Sequence, residues 1–153
     1  MPVTLFYNDG KTLTRRGNDG LDRSNGWWNT VVAEDFDNDG DVDLMVGNWG
    51  DNSKFKASER RPITLYRYDF DGNGTIEPLV TYFHGDWETP FASKEELTKQ
   101  MPFLNKKYLS FKSFAKASLN DLFSEEKLKA ADKKEVYILR SSYFENLGNG
   151  QFK

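Results

Sequence analysis

The sequence predicts a mainly β, antiparallel protein that carries a short-helix insert. Apolar and polar residues alternate in short runs bounded by Gly, Asn and Asp, as in "VTLFYNDGKTLTRR" and "ITLYRYDF". From Ser93 the period lengthens to that of helices and returns to alternation after Glu135. Two acidic loops of identical spacing, "DFDNDGDVD" (Asp35–Asp43) and "DFDGNGTIE" (Asp69–Glu77), each join two strand-like runs.

The elements follow in order. Asn8-Asp9-Gly10 is a hairpin turn between the first two strands. A polar Gly/Asp/Asn stretch runs to Gly26, and "WWNTVVAEDF" then leads into the first acidic loop. In "VDLMVGN", which follows it, Val42, Leu44 and Val46 are expected on one face. Residues 48–62 form a long loop, and "ITLYRYDF" and "IEPLVTYF" bracket the second acidic loop.

Residues 93–135 are expected to be a helical insert. Ser93 and Glu96 are spaced as a capping box, and Pro102 interrupts the pattern. Phe111, Phe114, Leu119, Leu122 and Phe123 recur at helical spacing and read as packing residues. In "EVYILRSSYFENLGNGQFK" the chain returns to β, with a hairpin at Gly148-Asn149-Gly150. The loops align with their flanks, Phe36 on Phe70, and the chain's two ends align loosely, Phe6 on Phe144 and Asn8 on Asn146. The sequence thus reads as repeated β units, one of them interrupted.

At 153 residues the chain suits a single domain over 1–153. The absence of cysteine excludes disulfide scaffolds, thiolate zinc sites and cysteine nucleophiles. No apolar run approaches the roughly 20 residues of a membrane span, so no membrane insertion is expected, and "MPVTLFYNDG" lacks the features of a signal peptide. Net charge is −3, with the acidic excess in residues 1–92 and most lysines in 93–135, where acids are interspersed among them. That balance argues against nucleic acid as a partner and suits cation sites.

Carboxylates at every second position of a tight loop repel one another unless the backbone curls them around a cation. Sulfur-free, oxygen-rich sites suit calcium, which takes 6–8 oxygens. In the first loop Asp35, Asp37, Asp39 and Asp43 can supply side-chain oxygens, Gly40 permits the bend, and Asp41 can offer its carbonyl. Asp69, Asp71, Asn73 and Glu77 repeat the set, with Gly74 at the bend and Thr75 at the carbonyl position. An EF-hand needs a glutamate at position 12 and flanking helices, whereas position 12 here is Val46 or Val80 and the flanks are strands. Two Ca2+ sites are therefore expected, with affinities nearer the roughly 10⁻⁴–10⁻³ M of extracellular modules and the second loop the weaker.

These loops, with their strands "DLMVGN" and "PLVTYF" and the hairpin "YFENLGNGQF", resemble FG-GAP/VCBS repeats, the calcium-looped β-propeller repeats also found in integrin α-chains. The arrangement is similar to that of large bacterial secreted VCBS/FG-GAP proteins, including those with ASPIC/UnbV-type regions. The resemblance covers about half the chain and leaves out the helical insert. It implies propeller-blade-like sheets of four strands. Without the insert the chain holds about two blades, which reads as a fragment of a larger propeller, a homo-oligomer, or a compact β architecture of another kind. The resemblance also implies an extracellular or cell-surface location.

Three classes of function are compatible with these features. In the first, the chain is a non-catalytic calcium-binding interaction module for cell adhesion or carbohydrate binding, taking a glycan or an extracellular protein. Trp27, Trp28, Trp49 and Trp87 are its candidate ligand-binding residues, since flat aromatic faces stack on sugar C–H surfaces; the same side chains can equally be blade core. In the second, the chain is a purely architectural blade. The third, a carbohydrate-active enzyme fragment, has little support: the clustered acids are committed to the loops, and Glu34 and Glu88 are distant in sequence. His84 is the sole histidine, so a multi-histidine metal site is excluded. No catalytic residue is assigned.

Overall fold

Short alternating runs build nine strands among the described residues, which are 1–17 and 20–153 of the computed structural model. Asn18 and Asp19, in the polar stretch before Gly26, lie outside them. The strands are β1 (Leu5–Asn8), β2 (Leu13–Arg16), β3 (Thr30–Glu34), β4 (Asp43–Gly47), β5 (Ile63–Tyr68), β6 (Glu77–His84), β7 (Trp87–Pro90), β8 (Asp132–Val136) and β9 (Ser142–Phe144). Five helices lie between β7 and β8: α1 (Lys94–Gln100), α2 (Phe103–Lys107), α3 (Phe111–Phe114), α4 (Leu119–Leu122) and α5 (Glu125–Ala130). The fold is mainly β with antiparallel sheets, as the sequence predicts. The chain divides into two compact units, one of residues 1–54 with 136–153, the other of residues 55–135.

In the first unit β1 and β2 form the expected hairpin, and the Asp9 carboxylate accepts from the amides of Lys11 and Thr12 to close the turn. A second sheet has the order β3-β4-β9, antiparallel throughout. Leu44 and Val46 point inward and pack with Leu21, Phe144 and Phe152, with Trp28 at the margin. Val42, expected on their face, precedes the strand and is exposed. The sheet begins one residue later because Asp43 is buried and bonded.

The second unit holds a four-stranded sheet of order β7-β6-β5-β8, the strand number of a propeller blade. Along β6 the residues Glu77, Leu79 and Thr81 are buried and alternate with more accessible ones. The sequence reading did not separate β7, which folds back on β6 through Gly85-Asp86, a two-residue turn that pairs His84 with Trp87.

The helices are short and held by their caps. Ser93/Glu96, Ser110/Ser113 and Ser118/Asp121 each form reciprocal capping boxes, and Ser124 caps α5. Too short to be stable alone, these helices depend on packing. Leu97, Met101, Leu104, Leu122 and Phe123 are buried with Phe70 of the second acidic loop. At about 1.5–3 kcal/mol for each large side chain buried, this cluster outweighs the helices' own propensity. Phe111, expected to pack, is exposed instead, because its four-residue helix turns that position to solvent. Strand β8 begins at Asp132, so helical structure ends slightly before the boundary expected at 135. Among the described residues no helix is long and apolar enough to cross a membrane.

Candidate metal centre

The two acidic loops fold by the same ladder of side-chain-to-backbone bonds. In the first, Asp35 accepts from the amides of Asp39 (3.2 Å) and Gly40 (3.1 Å), Asp37 from Asp39 (3.1 Å), and Asp39 from Asp41 (2.9 Å). In the second, Asp69 accepts from Asn73 (3.1 Å) and Gly74 (2.8 Å), Asp71 from Asn73 (3.1 Å), and Asn73 from Thr75 (2.7 Å). Each bond recurs 34 positions later in the sequence. The curl needs two left-handed residues per loop, Asn38 and Gly40 in one, Gly72 and Gly74 in the other. The sequence reading singled out only the second of each pair.

The curl brings the carboxylates together. Oxygens of Asp35, Asp37 and Asp39 lie within 4.8 Å of one another, as do those of Asp69, Asp71 and Glu77. Two oxygens on one calcium ion, each roughly 2.3–2.6 Å from it, can be at most about 5 Å apart, so both clusters fit that ion. Backbone amides alone would be served equally well by asparagine, without the repulsion. The Asp37 carboxyl is pushed above its ordinary pKa, chiefly by desolvation and further by the charges of Asp39 and Asp43. Asp69 is instead held below the usual range, chiefly by the Gly74 amide.

The ninth position differs between the loops. Asp43 and Glu77 both accept the amide of the loop's second residue, Phe36 at 3.2 Å and Phe70 at 2.8 Å. Asp43 also accepts the Tyr143 hydroxyl (2.6 Å) and the Asn146 amide (2.8 Å), and Tyr143 above all keeps its pKa low. Its carboxylate therefore anchors strand β9 and is not among the three converging acids. Asp41 also stands apart: its Oδ2 would lie 2.9 Å from a Cβ added at Gly148. Thr75, like Asp41, donates its amide to the residue two positions before it.

The four tryptophans separate in burial. Trp28 is half-buried, donates its indole N–H to the Ser24 carbonyl (2.7 Å) and meets Phe144 edge to face. Trp27 and Trp49 pack edge to face with ring centres 5.7 Å apart. The half-buried Trp27 supports the exposed Trp49, whose amide bonds the side chain of the preceding Asn48. Asn48 is itself buried and donates to the carbonyls of Ile138 and Arg140, a positioning role its sequence context did not reveal. Trp27 and Trp28 line an open apolar groove of about 730 Å³ with Leu44 and Val46. In the second unit Trp87 is exposed between two clefts, one of about 480 Å³ with Glu88, Lys116 and Asn120, the other of about 770 Å³ with Phe111 and Phe114. Glu88 accepts from Tyr66 and Thr81.

Comparison with known families adds one finding. Residues 1–46 match the family model of an FG-GAP-like repeat. The FG-GAP-like match spans β1 to β3, the whole first acidic loop and most of β4. The second loop, though folded by the same ladder, lies outside the matched residues. No curated protein and no solved structure matches the chain.

Proposed function

We propose that this chain is a non-catalytic, calcium-binding interaction module of an extracellular or cell-surface protein. The observation that carries the reading is the convergence of three carboxylates in each of two loops of identical backbone design. Calcium holds those loops and stabilises the strands they join; it activates no water and no substrate. In the first loop Asp35, Asp37 and Asp39 are its side-chain ligands, with Asp41 through its carbonyl and Asp43 as the anchor that fixes the loop's end. In the second they are Asp69, Asp71, Asn73 and Glu77, with Thr75 through its carbonyl.

Each unit offers its own exposed aromatic surface, and a glycan suits either. Trp49 and Trp87 are the exposed rings, with Trp27 backing the first. Trp28 is the exception among the four, since its indole is tied into the core and its role is to anchor. That commitment favours, as a second reading, an architectural blade with no ligand of its own. Calorimetric titration with Ca2+ tests the metal, and Asp37→Asn is expected to weaken the first site about tenfold through loss of ligand charge. Retention on a panel of glycans and insoluble polysaccharides, with Ca2+ and with EDTA, tests the ligand. Calcium-dependent retention lost in Trp49→Ala or Trp87→Ala supports the glycan module, and no retention on any sugar class leaves the architectural blade.

A further inference from the structure

Phe70, the second residue of the second acidic loop, is held on three sides. Its amide donates to Glu77 across 2.8 Å, its ring lies 4.5 Å from that of Phe123, and its carbonyl accepts the Lys127 ammonium across 2.7 Å. The last contact ties the loop to α5, 57 positions later in the chain, and is partly shielded from water. Packing sets the place of that ammonium: the adjacent Leu128 is buried in one cluster with Phe70, and Ser124 caps the start of α5.

Lys127 stands against the loop without filling it. Its bond goes to a carbonyl, so it takes none of the converging oxygens of Asp69, Asp71 and Glu77. Asp71 and Lys127 line the same cleft. The Gly74 amide does most to hold Asp69 below the ordinary carboxylate range, and the charge of Lys127 adds to it. The first loop has no counterpart. Phe36 repeats the amide bond, to Asp43, but among the described residues no ammonium reaches its carbonyl. The first loop carries five acids in nine residues and the second carries three, so the loop with less negative charge is the one given a fixed positive charge.

We infer that Lys127 is a built-in counter-cation of the second loop. It keeps that loop formed before calcium arrives and opposes calcium once it does, so the first loop fills at lower calcium than the second. This rests on the calcium reading of the two loops. The field of the clustered carboxylates draws the ammonium to the loop, and the ammonium in turn offsets part of the field that draws a divalent cation. Ligand count alone gives the same order of filling, but makes that order insensitive to residue 127.

The Gly40 and Gly74 amides, one in each curl, report the two loops separately in amide NMR spectra of the full chain titrated with Ca2+. In Lys127→Met the second loop is expected to bind about threefold or more tightly at low salt, with the first loop unchanged. The gain should narrow at about 1 M KCl, where screening acts over about 3 Å. Lys127→Gln, neutral but still able to donate, should repeat the gain, whereas Lys127→Arg, which keeps the charge, should abolish it. In EDTA the Gly74 amide of Lys127→Met should exchange its hydrogen faster than in the unmodified chain, with Gly40 unaffected. A second loop that binds no more tightly in both neutral variants overturns the inference and leaves the calcium reading standing, as does unchanged Gly74 exchange. An unmodified chain in which neither glycine responds to Ca2+ overturns the calcium reading and the inference with it.

Discussion

Tyr143 donates its hydroxyl to Oδ2 of Asp43 across 2.6 Å, joining residues 100 positions apart in the chain. With the Asn146 amide on the other oxygen, this bond fastens the end of the first acidic loop to β9. Among the described residues no equivalent tie is seen for Glu77, whose partner is the Phe70 amide within its own loop. Tyr143→Phe is therefore expected to lower the melting temperature of the first unit by a few degrees. Calcium affinity of the second loop should stay unchanged, which calorimetric titration of the variant would check.

Calcium itself should stabilise the folded chain by mass action. At a hundredfold excess over the dissociation constant a single site contributes about 2.7 kcal/mol. For a chain of this size that is a rise of about 5–10 °C in Tm, reversed by EDTA. Magnesium should give a smaller shift, since it keeps several waters and tolerates irregular geometry poorly. Differential scanning calorimetry with each ion would measure both.

The second residue of each loop has opposite surroundings in the two repeats. Phe70 is buried, its ring 4.5 Å from that of Phe123, whereas Phe36 is at the surface, edge-on to Tyr143. Phe70→Ala should destabilise by about 3–5 kcal/mol, as for other buried aromatics. Phe36→Ala should cost about 1 kcal/mol or less. Urea denaturation of the two variants distinguishes them.

Acid should weaken the helices through their caps. The Ser93 amide chiefly holds Glu96 below its ordinary pKa, and the Ser118 hydroxyl does the same for Asp121. A carboxylate with a lowered folded pKa contributes stability above its unfolded pKa, near 4, and that stability is lost as pH falls through the folded value. Helical circular dichroism should thus hold down to about pH 4 and fall below it. Glu96→Gln with Asp121→Asn should flatten that dependence while keeping neutral caps.

The acidic loops were legible because their chemistry is local: alternating carboxylates and a bend glycine occupy nine consecutive residues. The Ser93–Glu96 box and the Asn8-Asp9-Gly10 turn were legible for the same reason. Strand β7 was not legible although Gly85-Asp86 is a two-residue hairpin signal, because "WETP" is only four residues long and ends in proline, which strands disfavour. The partners of Asp43 could not be read, because Tyr143 and Asn146 reach it only after the chain returns as β9. The exposure of Phe111 was hidden too: helical spacing shows that a face exists, not which short helix turns it outward. Nor does any Pro/Gly-rich linker announce the two compact units, whose limits follow from long-range pairing of β4 with β9.

That pairing has a consequence during synthesis. Residues 55–135 are contiguous, so their unit has every strand and helix it needs once the ribosome has released them. The other unit is split, and β4 must wait beside an unfinished sheet until Ser142–Phe144 are made. At about 5–20 residues per second the interval is several seconds, long against the microseconds in which a hairpin forms. The order of folding is therefore inverted relative to the order of translation: the middle of the chain matures first and its beginning last.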